Sequence, residues 1–206
     1  MENIRPTSAG RQSPLFGLVL AGGKSSRMGR EKAALPMEPG GVSWAARGLD
    51  RLAPFCRGVF LSLRDGQDPP ADCAAVPVIR DAPGAAGPLA GLLGAFARVP
   101  QAAWLVLACD LPCATPEVIS HLLQSRDSNS PFTAYASPLD GQPEPLCAVY
   151  EPAAHPLLLA RATRGDYSLR AAMDNSSCHL LKLPPEWSGA LENINTPEDL
   201  RRLSLR

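Results

Sequence analysis

The residue types best suited to chemistry on phosphate fall where apolar runs stop. Leu20-Ala21-Gly22-Gly23 closes the run that begins at Leu15, and Lys24, Arg27 and Lys32 follow, with Gly29 among them. Small residues let a backbone turn tightly and approach a ligand with no Cβ in the way. A strand opening into a glycine-and-cation loop suits a polyphosphate, because a guanidinium grips oxygens as a fork and a lysine as a point charge. A solvated basic loop would use the same residues. Asp81 and Asp110 each follow an apolar stretch. A carboxylate placed there is costly unless partnered, and either a turn or a magnesium ion could keep it. Asn193 and Asn195 alternate along a short extended segment, which sets both amides on one side.

The elements that must position these groups follow from periodicity and punctuation. Strands are expected at 15–20, 58–63, 75–79, 103–109, 132–136, 145–150 and 178–183. Between them come helices over 43–55 with Ser43 as cap, from the glycine-rich stretch 84–91 to Arg98, and from Thr115-Pro116. Others follow Pro152, Tyr167 and Thr196. The run 103–109 lacks polar alternation, as a central strand does. This alternation predicts an α/β fold: a Rossmann-like, doubly wound, mostly parallel sheet with helices on both faces and a partly antiparallel edge. Ligands of such sheets bind beyond the carboxyl ends of the strands. Ala21 to Gly23, Asp81 and Asp110 would therefore converge on one edge.

Spacing excludes two familiar phosphate loops. Gly23 and Gly29 are followed by Arg30, so no Walker A loop is present, and no G-x-G-x-x-G occurs here. The stretch LAGGKSSRMG with Lys32 does resemble the signature of small nucleotidyltransferases. With GPLAG, CDLP and NINTPEDL further on, the sequence is similar to the molybdenum-cofactor guanylyltransferase family over nearly its whole length.

The resemblance implies a fold like that of nucleotide-diphospho-sugar transferases and a Mg²⁺-dependent transfer of GMP from GTP to molybdenum-molybdopterin, with release of pyrophosphate. Arg27, Lys32 and Asp110 would be catalytic, and Asp110 would also be the metal ligand. Leu20, Ala21, Gly22, Gly23, Lys32, Asp81 and Asp110 would bind the nucleotide, and Asn193 and Asn195 the acceptor. Glu144-Pro145-Leu146 matches a family segment on the acceptor side. Related cytidylyltransferases read L-A-A-G where this sequence has Gly22, which points to that position in base choice. Two departures concern the ligands. Many relatives carry asparagine near the end of the second strand, where Leu61-Ser62-Leu63 stands. A family arginine near 165–168 is replaced, with Arg164 and Arg170 nearby. A cytidylyl- or sugar-phosphate nucleotidyltransferase of the same fold, or a nucleotide-binding regulator without turnover, would read similarly.

Composition narrows the partners. Lys+Arg and Asp+Glu are equal at 20 each, so no global field recruits nucleic acid or an anionic membrane. Apolar runs are too short to span a bilayer and no leader pattern opens the sequence, which predicts a cytoplasmic protein. The substrates would be small molecules, with room for transient contacts with cofactor-biosynthesis proteins or molybdoenzymes. The six cysteines form no C-x-x-C pair and are expected reduced, and His121, His155 and His179 are expected in surface or packing roles rather than as ligands. Residues 1–13 read as a flexible tail and 14–206 as one nucleotidyltransferase domain.

Overall fold

Each apolar run forms a strand near its expected place. The computed structural model describes residues 12–22, 32–36, 40–173, 178–194 and 198–199. The strands are β1 (Leu15–Leu20), β2 (Val59–Leu63), β3 (Val78–Arg80), β4 (Ala103–Ala108), β5 (Phe132–Ala136), β6 (Pro143–Tyr150) and β7 (Cys178–Lys182). They make one sheet in the order β3-β2-β1-β4-β6-β5-β7. Strand β4 is buried at every position and lies at the centre, as its unbroken apolar run predicts.

Two boundaries move for local reasons. The third strand starts at Val78 rather than residue 75, because the preceding residues close a turn: Val76 N donates to Cys73 O, and Pro77 has no N–H for a ladder. Strand β6 starts earlier, with Pro143 paired to Ala136. The reversed strand is also not at an edge. Strand β6 runs antiparallel to both β4 and β5, inside the sheet. The connection after β5 is tight, with Ser137 N donating to Gln142 O at 2.8 Å, and so short a link can only return antiparallel.

Helices cover both faces. Helices α1 (Trp44–Leu52) and α3 (Pro116–Gln124) pack on one face, where Leu49, Leu52, Val118 and Leu122 meet Leu105 and Leu107. Helices α2 (Gly87–Arg98), α4 (Ala154–Ala162) and α5 (Leu169–Ala172) cover the other, against Trp104 and Val106. Each leucine fully buried this way contributes about 1.5–3 kcal/mol. Ser43 caps α1 as expected, its Oγ accepting from Ala46 N at 3.1 Å. The helix expected from Thr196 begins outside the described residues.

Helix α2 lies unusually close to the sheet. A Cβ on Gly91 would fall 2.2 Å from Ser62 Oγ, and one on Gly94 2.3 Å from Arg80 O. Glycine at both positions lets the helix settle over the carboxyl ends of β2 and β3. Histidines take packing roles: His121 stacks on Tyr135 and His155 on Phe96.

Candidate active site

Strands β3, β2, β1 and β4 are mutually parallel, so their carboxyl ends form one rim. The end of β1 is fastened to both neighbours. Cys109 N donates to Leu20 O at 3.1 Å, and Ala21 N to Ser62 O at 3.0 Å. Ala21 O accepts from Gln67 Nε2 at 3.2 Å, and Gln67 Oε1 accepts from Arg64 N at 3.3 Å. Gln67 is 5% exposed, and Arg80 Nη1 donates to the carbonyls of both Arg64 and Gln67, at 2.8 and 2.6 Å. This net makes the rim stiff before any ligand arrives.

The expected site residues divide into those the rim gathers and those outside the described residues. Leu20 and Ala21 are buried at the end of β1, and Gly22 is exposed just beyond. Gly23, Arg27 and Asn195 lie outside the described residues. Lys32 opens a short 3-10 helix, Lys32–Ala34. Asp110, half-buried, follows β4, and Asp81, half-buried, follows β3. With strands about 4.8 Å apart, Asp110 stands one strand from β1 and Asp81 two strands away on the other side. Three spacings, about 14 Å, separate the two strands that these carboxylates follow.

Burial pushes the Asp81 carboxyl above its ordinary range, while Arg64 and Arg80 pull it back. The loop after β4 is fixed from α1, where Arg51 donates to Leu111 O and, at 2.6 Å, to Pro112 O. The asparagine segment docks on the same loop: Ile194 N donates to Asp110 O at 3.0 Å. Asn193 is thereby set beside the end of β4.

Beside Asp110 opens a cavity of about 700 Å³, whose lining includes Cys113, Asp140, Glu144, Arg170, Leu191 and Asn193. This size suits a ligand of several fused rings. Glu144 is the second residue of β6, the strand reversed beside β4. The ladder ends with Leu107 paired to Cys147, and Glu144 lies beyond it on the side of Asp110, close enough to feel its charge. Glu144 Oε1 accepts from Leu146 N at 3.1 Å. Burial pushes its carboxyl above the ordinary range, the Leu146 N–H and Arg170 pull it back, and Asp110 and Asp140 add to the rise. Arg170 reaches in from α5, donating to Asp140 Oδ2 at 2.8 Å with its other nitrogen 3.7 Å from Glu144 Oε2.

Sequence reading missed Gln67, for which no local signal exists. It placed Arg170 only near a replaced family arginine, whereas the fold carries that guanidinium into the cavity. At the end of β2, Ser62 is packed under α2 beside Gly91, so the polar side chain that follows the strand toward the rim is Arg64.

Known proteins with these features are similar throughout. A family model described as MobA-like NTP transferase domain matches residues 17–181. The chain is 33% identical over 194 residues to a probable molybdenum cofactor guanylyltransferase of Mycobacterium avium, covering 92% of this chain and 95% of the relative. It is also 33% identical to a molybdenum cofactor biosynthesis bifunctional protein of Synechocystis, over 94% of this chain, and spans 54% of that protein's length. Among solved structures, molybdopterin-guanine dinucleotide biosynthesis protein A of Archaeoglobus fulgidus superposes with a TM-score of 0.74 at 24% identity, covering 91% of this chain and 95% of that one. The 2-C-methyl-D-erythritol 4-phosphate cytidylyltransferase of Thermus thermophilus gives 0.66 at 15% identity, over 92% and 98%. These superpositions establish the nucleotide-diphospho-sugar-transferase fold.

Proposed function

The chain belongs to the MobA-like NTP transferase family and is a nucleotidyltransferase, and from that premise we propose that it transfers GMP from GTP to the terminal phosphate of molybdenum-molybdopterin. The observation that carries the reading is the bond from Ile194 N to Asp110 O, which joins the cavity segment to the strand end beside the glycine loop. A nucleotide on the β1 loop and an acceptor in the cavity would meet at Asp110. An oxygen of the acceptor phosphate attacks the α-phosphorus, the α–β bridging P–O bond breaks, and pyrophosphate departs with the electron pair. No protein nucleophile takes part.

Catalysis is then positioning plus neutralisation of charge. The Leu20 to Gly23 backbone would hold the nucleotide, and Arg27 and Lys32 would offset charge on the leaving pyrophosphate. Asp81 would reach the ribose side of the nucleotide. Asn193 and Asn195 would orient the acceptor.

For magnesium, the residues present fit a site in which Asp110 supplies one hard oxygen. Among the described residues no group of three or more His, Cys, Asp or Glu gathers to hold a metal. Mg²⁺ usually binds through one or two carboxylates and completes its shell with substrate phosphates and water. When bound, the ion would draw charge from the phosphate oxygens.

The test compares nucleotides directly. Melting temperature should rise with GTP and Mg²⁺ and respond less to CTP, and pyrophosphate release with molybdopterin should follow the same order. Preference for CTP would overturn the guanylyl assignment.

Gly22 is the position to change for base choice. A Cβ there would lie 3.2 Å from Arg64 N and 3.3 Å from Arg64 Cγ, so a methyl group must push the end of β2. Gly22→Ala should cost GTP use roughly 1–3 kcal/mol of transition-state binding and CTP use less, narrowing the ratio of kcat/KM values. An unchanged ratio would remove Gly22 from base reading.

A further inference from the structure

Among the described residues that line the cavity beside Asp110, the charged side chains are mostly of the wrong sign for a phosphate. Asp140, Glu144, Glu192 and Asp199 contribute carboxylates, and Arg170 is the one cation among its described lining residues. That guanidinium is already engaged by Asp140 and lies near Glu144. These described carboxylates disfavour an anionic group along this part of the wall. The remaining wall fits a neutral heterocycle that presents N–H donors.

Glu144 is built to meet such an edge. It is only 7% exposed, yet it lines the cavity. A carboxylate offers about four lone-pair positions. Leu146 N occupies one, and Arg170 at 3.7 Å stands beyond hydrogen-bond length. Its ties to the backbone of its own strand and to Arg170 fix the carboxylate in direction. Two adjacent N–H donors can take a carboxylate bidentately, as a guanidinium does.

We propose that Glu144 reads the N–H and amino edge of a 2-aminopyrimidinone ring, as found in pterins, and that Arg170 is the positioning residue that aims it. This rests on the reading that the cavity receives the acceptor. The donor edge then meets Glu144, and the acceptor's phosphate lies away from it, toward the β1 loop.

The experiment measures binding of pterin and of lumazine, in which a carbonyl replaces the 2-amino group, to the full chain by calorimetry. Wild type should prefer pterin by about 10-fold or more, the range of a charge-assisted hydrogen bond. Glu144→Gln presents an amide whose N–H₂ opposes the ligand's donors, and should bring the two within about 2-fold while GTP affinity is unchanged. Glu144→Asp, which keeps the carboxylate, should retain a preference, and it decides the matter with wild type if the glutamine variant does not fold. Arg170→Gln should shrink the ratio without abolishing it. Equal binding of the two pteridines by wild type, or an undiminished preference in Glu144→Gln, would overturn the assignment. So would a raised Mg²⁺ requirement in Glu144→Gln with pterin preference intact, which would place the carboxylate on the metal. Transfer of CMP instead of GMP would sink the guanylyl reading and leave the pterin ratio untouched, so the two ideas fail separately.

Discussion

Asp110→Asn should leave the chain folded and lower turnover by about 10²-fold or more. The carbonyl of Asp110 receives Ile194 N, and this bond does not depend on the side chain. Asparagine is also a good turn residue, so the loop after β4 keeps its shape. What disappears is a negative charge at the end of β4, where the proposed nucleotide loop and acceptor cavity would meet. An amide oxygen is a poorer partner for a hard dication. The loss should therefore appear in kcat, and partial rescue at high Mg²⁺ is the expected signature of a weakened metal site. Pyrophosphate release across a Mg²⁺ series, alongside a melting curve, measures both. Near-normal turnover with an unchanged Mg²⁺ dependence would reject Asp110 as the ligand.

The largest loss of stability is expected at the opposite end of the sheet. Arg126 and Glu151 form a fork-to-fork pair, Nε to Oε1 at 2.5 Å and Nη2 to Oε2 at 3.0 Å, with side chains only 6% and 3% exposed. Arg126 also donates to Ser13 O at 3.2 Å, tying the chain ahead of β1 to the end of β6. Glu151→Gln keeps the shape but leaves the buried guanidinium without its counter-charge, with one of its three acceptors replaced by an N–H₂ donor. Breaking such a pair costs about 3–5 kcal/mol, because an uncompensated charge is left out of water. For a domain of this size that is a fall of roughly 10 °C in Tm. Tyr150 pairs with Trp104 at the start of β4, far from Asp110, so kcat at low temperature should be unchanged. Urea unfolding measures the loss, and a cost under about 1 kcal/mol would mean that Arg126 finds another acceptor. Replacing both members by apolar residues should recover much of the stability, since the desolvation cost vanishes with the charges.

Much of this molecule was legible before its fold was seen. The strand Leu15–Leu20, the cap at Ser43, the proline at the start of α3 and the central burial of β4 are local matters. Period, small breakers and fixed proline φ encode them within a few residues. The rim was legible for the same reason, since Gly22, Asp81 and Asp110 each stand where an apolar run ends. The misplaced start of β3 shows the limit: Ala75 and Val76 look like strand, but the 3-10 turn at Ala71–Cys73 runs directly into them.

The sequence by itself determined the elements, the polar residues at their ends and, through its motifs, the family. Only the tertiary structure decided which distant side chains face one another. Glu144 comes to the Asp110 side of the sheet because β6 is reversed and inserted beside β4, so its first residues and not its last reach the rim. Gln67 takes Ala21 O, Arg170 reaches Glu144 and Arg126 meets Glu151 across 46, 26 and 25 residues of chain. Local propensity is silent on such pairs. They exist because a tight hairpin and a strand order, stabilised by burial of the whole sheet, bring remote backbone into register.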